Sequence, residues 1–183
     1  MINKNLYYLN NMIFSNSTNK HMSFEEVFNN ILYFIKQDPN ALYKLAIGTD
    51  SHVKALTRFI SAIHLHRIGQ DGIGKGAWGC IKEYIVPRRI SSLREKISIE
   101  TSLTQELLFL FDYKRISEIL DILIPYLDKG SDFTIEAHID IGRKGATRDL
   151  VNEMLGRFSN MDVETKIKPD SYAASSYADR YTK

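Results

Sequence analysis

Two aspartates each end a short apolar run in this chain. Asp50 follows Leu45-Ala46-Ile47-Gly48-Thr49, and Asp140 follows the run from Phe133 to Ile139. Carboxylates delivered by two strands at the point where apolar sequence turns small and polar can build a divalent-metal site on a sheet, since hard cations take oxygen ligands. Successive strand side chains point to opposite faces. Ala46, Gly48, Asp50 and His52 therefore share one face of the first run, and Thr134, Glu136, His138 and Asp140 share one face of the second. The small residues beside Asp50 predict a covered face. Around Asp140 an ordinary solvated strand face would give the same polar pattern, so that reading stays open.

Elements of sufficient length surround both runs. The chain has 183 residues, 44% of them hydrophobic, enough to bury one full core. Residues 1–22, rich in Asn, Ser and Tyr without a period, read as an N-terminal extension, and residues 23–183 as a single domain. Ser23 with Glu26 forms a capping box and Met22 with Val27 a hydrophobic staple, which together start a helix that Asp38-Pro39-Asn40 ends. Three strands are predicted over 43–54, 57–68 and 77–86, with short connections that suit consecutive hairpins. Two helices follow between Ser92 and Asp128 with a break near Asp112, then a strand over 132–141, a helix over 147–158, a strand over 163–167 and a small-residue helix from Ser171. That order resembles the ribonuclease H-like arrangement: an α/β fold with a mixed five-stranded sheet, three antiparallel strands followed by two further strands, flanked by helices.

Composition narrows the function classes. No apolar run has the length of a membrane span, and the N-terminus lacks the order of a signal peptide, so a cytoplasmic protein is expected. The single cysteine, Cys80, excludes an internal disulfide framework and a Cys-based zinc site. A net charge of +2 argues against holding nucleic acid by bulk electrostatics and leaves only local basic pairs: Arg88 with Arg89, Arg143 with Lys144, and Lys166 with Lys168.

Folds of this arrangement place a third acid on the helix after the third strand. Leu93, Ile97, Glu100, Thr104, Leu107 and Phe111 recur at steps of four and three and so share one helix face, into which Glu100 brings a carboxylate. Glu106, on the neighbouring stripe with Ile99, Leu103 and Leu110, is the rival. The fourth acid is either Asp170 or Asp179. Asp170 suits a helix N-cap. Asp179 shares a face with Tyr172 and Ser176, and the alanines at 173, 174 and 178 allow close approach to the sheet.

Gly48-Thr49-Asp50-Ser51-His52, the segment from Glu95 to Thr101, His138-Ile139-Asp140-Ile141-Gly142, and Lys168-Pro169-Asp170-Ser171-Tyr172 with Ala178-Asp179 resemble the motifs of the YkuK-type family, a bacterial group of ribonuclease H-like proteins without an assigned activity. The resemblance covers nearly the whole chain after about residue 20. It implies the fold directly and a nuclease activity more weakly, since fold does not fix function. The wider superfamily's acids would fall on Asp50, Glu100, Asp140 and Asp170 or Asp179.

Such acids suit two Mg²⁺ or Mn²⁺ ions. A pair about 3.5–4 Å apart activates water, neutralises a phosphate and stabilises the leaving oxygen of a phosphodiester. Asp50 would bridge the ions, with Asp140 and Glu100 flanking. His138 and His52, each two residues from an Asp on the same strand face, are candidate proton carriers. Gly142-Arg143-Lys144-Gly145 runs into a predicted helix, so Arg143, Lys144 or Lys168 would hold the strand being cut, RNA, DNA or a hybrid; a solvated basic turn is the alternative. His64-Leu65-His66 resembles a zinc pair, although histidines on a solvated strand look the same; with His52 and His138 it would form a Zn²⁺ or Mn²⁺ centre. The opposing reading is a non-catalytic module that binds nucleic acid or a protein partner and keeps its acids as structural remnants.

Overall fold

The computed structural model describes residues 12–144 and 147–182; the side chains of residues 174, 175, 179 and 182 lie outside it, as does Gly145 of the predicted phosphate loop. The chain enters through helix α1 (Phe24–Lys36), where Ser23 Oγ accepts from the Glu26 N–H and the Glu26 carboxylate accepts from the Ser23 N–H, closing the capping box. Its apolar stripe, Phe24, Val27, Phe28, Ile31 and Ile35, is buried.

Three long strands follow: β1 (Leu42–Val53), β2 (Thr57–Ile68) and β3 (Gly74–Val86). Helix α2 (Leu93–Leu108), capped by Ser92, and helix α3 (Tyr113–Leu123), capped by Asp112, form the predicted helical pair, with a 3₁₀ turn at Ile124–Lys129. Strand β4 (Asp132–Ile139) and strand β5 (Glu164–Ile167) flank a short helix α4 (Val151–Gly156). The chain closes with a π-helix (Ala173–Ala178) that continues into α5 (Asp179–Thr182).

The sheet order is β3-β2-β1-β4-β5. β1 pairs antiparallel with β2 and parallel with β4, β2 pairs antiparallel with β3, and β4 pairs parallel with β5. This is the mixed sheet expected from the element order, with β1 at its centre. One face carries Leu45, Ile47, Ile63, Leu65 and Ala137 into the main core, under α1 and α2. The other face carries Ile60 and Ala62, on which Ala178 of the π-helix packs. Ala173 and Ala178 are fully buried, so small residues do bring this helix onto the sheet.

One segment differs in detail from the sequence expectation, and the N-terminal extension, for which packing on the domain and a loose arm were both open, is packed where it is described. The helix expected over 147–158 begins as a 3₁₀ turn, Arg148–Leu150, and is α-helical only over Val151–Gly156. Thr147 lacks a capping bond because its hydroxyl is engaged with Gly142. Residues 12–22 are packed: Met12, Phe14 and Met22 are buried, Phe14 bridges to Met22, and Ser15 bridges to Ile81 on the outer edge of β3. An edge strand offers unpaired backbone groups, and this bridge covers part of them.

Candidate functional site

The β1/β4 ladder ends at Thr49 and Ile139, so Asp50 and Asp140 follow at the carboxyl end of the parallel pairing, where β4 stops and β1 runs on to Val53 against β2 alone. Ligand sites in sheets of this kind lie beyond such strand ends. Asp50 is 9% exposed, and its register partner on β2 is Ile60, which places both on the face covered by the π-helix.

Glu100 comes from the other side. The stripe of α2 is buried as predicted, with Ile97, Glu100, Thr104 and Leu107 all inward. Thr104 bonds Thr49 at 3.0 Å, and Thr49 bonds Ser61 at 2.8 Å, a buried hydroxyl chain that fixes the helix against β1 and β2. One turn earlier, Ser51 Oγ donates to Glu100 Oε1 at 2.7 Å. Thr49 and Ser51 alternate with Asp50 along the strand. Glu100 is thus held on the face opposite to that of Asp50.

Lys96 joins the three acids. Its ammonium lies 3.1 Å from Glu100 Oε1. Burial lowers its pKa, but the charges of Glu100, Asp50 and Asp140 outweigh burial and hold it above the usual lysine value. For Glu100, burial pushes the carboxyl up to about 7 against the pull of Lys96 and Ser51, and the charge of Asp50 adds to the rise. Asp140 Oδ2 pairs with Lys168 at 3.0 Å, while its Oδ1 is buried without a hydrogen-bond partner.

The donor chemistry fits Mg²⁺ or Mn²⁺: the acids offer hard oxygens, and the orphaned Oδ1 of Asp140 is a ready ligand atom. Among the described residues, however, no three acidic or histidine side chains are close enough to share an ion. Lys96 and Lys168 hold the acids instead, and a metal would have to displace them. The side chain of Asp179 lies outside the described ones.

The remaining predicted residues fall elsewhere. Asp170 is exposed and lines a cavity of about 400 Å³ with Lys44, Glu136 and Lys166. Glu106 accepts from Lys82 and Tyr84 on β3. His138 is fully buried, with Nε2 bonded to Glu136 at 2.8 Å and Nδ1 accepting the Ala173 N–H at 3.0 Å. That bond pins the start of the π-helix. Burial disfavours charge on Glu136, yet the His138 bond and the Lys44 and Lys166 charges hold its pKa below the ordinary value. His52 is partly exposed, and Arg143 and Lys144 are exposed beyond β4. Arg88 pairs with Glu95, and Lys166 with Glu164. The His64 and His66 rings are 6.1 Å apart.

Sequence reading missed Lys96 and Ser51. Lys96 stands four residues before Glu100 on the same helix, the spacing of a helical ion pair, and that signal was available. Ser51 had none, because only the packing of α2 across β1 brings it to Glu100.

A family model described as "Ribonuclease H-like" matches residues 26–183. The chain is also similar to a Bacillus subtilis (strain 168) protein named "Uncharacterized protein YkuK", 48% identical over 172 residues that cover 93% of this chain and 97% of that one. No solved structure matches it. With the mixed sheet in the expected order and both matches spanning most of its length, the chain belongs to the ribonuclease H-like family, in its YkuK-type branch.

Proposed function

We propose that the protein is a metal-dependent phosphodiester hydrolase of the ribonuclease H-like class, acting on nucleic acid. One observation carries this reading: the partly buried Lys96 ammonium, 3.1 Å from Glu100 Oε1 on α2, also feels the charges of Asp50 on β1 and Asp140 after β4, carboxylates from three separate elements. Three acids converging in charge on one partly buried point is an arrangement that favours concentrated positive charge. In this reading Asp50, Asp140 and Glu100, with Asp179 as the fourth acid, would hold two Mg²⁺ or Mn²⁺ ions. Such ions supply an activated water and neutralise the phosphate.

The protein's own residues do the rest. Lys96 must release Glu100 and Lys168 must release Asp140, and both lysines then remain beside the site to meet phosphate oxygens. Arg143 and Lys144, exposed just beyond Asp140, would in this reading meet a backbone phosphate. His138 enters as a positioning residue, since both ring nitrogens are committed to Glu136 and Ala173.

A second reading, a non-catalytic module that binds nucleic acid or a protein partner, is favoured by the same lysines: each neutralises an acid without any metal. Calorimetric titration with Mn²⁺ and Mg²⁺ separates the two readings. The protein is compared with an Asp50→Asn, Asp140→Asn double variant, and cleavage of labelled RNA, DNA and hybrid oligonucleotides is followed in the same buffers. Metal binding and cleavage both lost in the variant are expected. Binding without cleavage would point to another phosphoester, and no binding at millimolar metal would leave the non-catalytic module.

A further inference from the structure

The face of the sheet that carries Asp50 has a second feature some distance away. His64 lies four residues along β2 from Ile60, the register partner of Asp50, which is about 13 Å at the usual strand rise. There the π-helix, β3 and residues 16–18 enclose a cavity of about 550 Å³. That volume is ordinary for a small-molecule site, for which about 300–1,000 Å³ is typical.

Its wall is aromatic. The His64 ring centroid is 5.6 Å from that of Tyr172 and 5.0 Å from that of Tyr177. Gly79 forms part of the lining, and a Cβ there would come within 2.7 Å of Tyr177 Oη, so glycine lets the tyrosine close against β3. Two polar atoms of this wall, His64 Nδ1 and Tyr172 Oη, are buried without a hydrogen-bond partner. Buried polar atoms are nearly always paired, and leaving one unpaired costs about 1–3 kcal/mol. Two such atoms, both in residues that line this cavity, leave hydrogen-bonding capacity there that the chain does not fill.

The charges are equally one-sided. Arg180, exposed, is the one charged side chain among the described residues that line the cavity. Burial foremost, then the neighbouring His66, His138 and Arg180, brings the His64 pKa down to about 4, so its imidazole is neutral at physiological pH, with one donor and one acceptor nitrogen.

We propose that this cavity is a nucleotide site, in which a base lies against the His64, Tyr172 and Tyr177 rings, its polar edge meets Nδ1 and Oη, and its phosphate pairs with Arg180. Aromatic faces accept any base, and a guanidinium suits phosphate through paired hydrogen bonds. The site stands apart from the carboxylates and does not rest on the hydrolytic reading. The nucleotide is either free or one unit of a strand.

Trp78, the single tryptophan of the chain, lines the cavity, so its fluorescence reports occupancy directly. The full-length protein is titrated with uridine and adenosine monophosphates, the corresponding nucleosides, inorganic phosphate and a short single-stranded RNA. A saturable change with the monophosphates is expected, with weaker responses to nucleoside or phosphate alone. Arg180→Gln and His64→Leu should each weaken binding about tenfold or more while circular dichroism and melting show them folded. The Asp50→Asn, Asp140→Asn variant should bind as the parent does, which separates this site from the carboxylate site. RNA binding tighter than the monophosphates identifies the strand as ligand, and equal affinity identifies the free nucleotide. No saturable change at millimolar nucleotide, equal affinity for phosphate alone, or unaltered binding by Arg180→Gln would overturn the proposal.

Discussion

At the scale of single residues, Glu100 holds a carboxyl group that is 3% exposed, bonded to Ser51 and paired with Lys96. Its folded pKa of about 7 stands above the ordinary 4.5. A group raised in this way contributes stability that is fully present below the ordinary pKa and is lost as pH rises through about 7. Glu100→Gln keeps the shape and the acceptor for Ser51 and removes that dependence. The variant should match the parent near pH 4.5 and exceed it by about 1–3 kcal/mol at pH 8, measured by urea unfolding in a chelator. Lower stability of the variant at pH 8 would mean that the ion pair with Lys96 outweighs the burial of its charge. A core acid retained against stability is what a functional carboxylate looks like. Sequence placed Glu100 inward because steps of four and three put it among Ile97, Thr104 and Leu107. It did not reveal Lys96 beside Asp50 and Asp140, because that convergence depends on where α2 lies across β1.

At the scale of elements, the C-terminal helix is the piece that must be fastened. Its start is tied to β4 by one imidazole: His138 accepts the Ala173 N–H and bonds the buried Glu136. His138→Ala should cost about 2–4 kcal/mol, since it opens a cavity, removes the hydrogen bond to a buried carboxylate that keeps only its lysines, and frees a helix N–H. It should also raise amide exchange selectively in residues 172–182, and exchange rising uniformly over the sheet would assign His138 a general core role. The period-2 pattern placed His138 and Asp140 on one strand face; the structure pairs His138 with Gly48, two residues before Asp50, and ends β4 at Ile139, so that Asp140 lies just past the ladder. The π-helical form of Ala173–Ala178 was not legible: six residues of alanine, serine and tyrosine carry a helix propensity but no signal for a wider turn.

At the scale of the whole molecule, the sheet and both its covers form one unit that reaches back to residue 12. Met12, Phe14 and Met22 are each at most 2% exposed and belong to the main core with Phe24 and Phe111. Removal of residues 1–22 should therefore cost on the order of 4 kcal/mol or more, read as a lowered denaturant midpoint, and an unchanged midpoint would show the segment to be dispensable. Among the described residues no helix is long and apolar enough to cross a membrane. The sequence by itself determined the strands, the capped helices, the inward glutamate and the aspartates that follow two apolar runs, because periodicity and capping are local and follow from side-chain direction within one element. Only the tertiary structure decided that Glu100 and Asp50 meet through Lys96 from opposite faces of β1, that Lys168 holds Asp140, and that His64 and Tyr172 leave two polar atoms unpaired in one cavity wall. Those relations join residues of different elements, and their distances are set by how the layers pack.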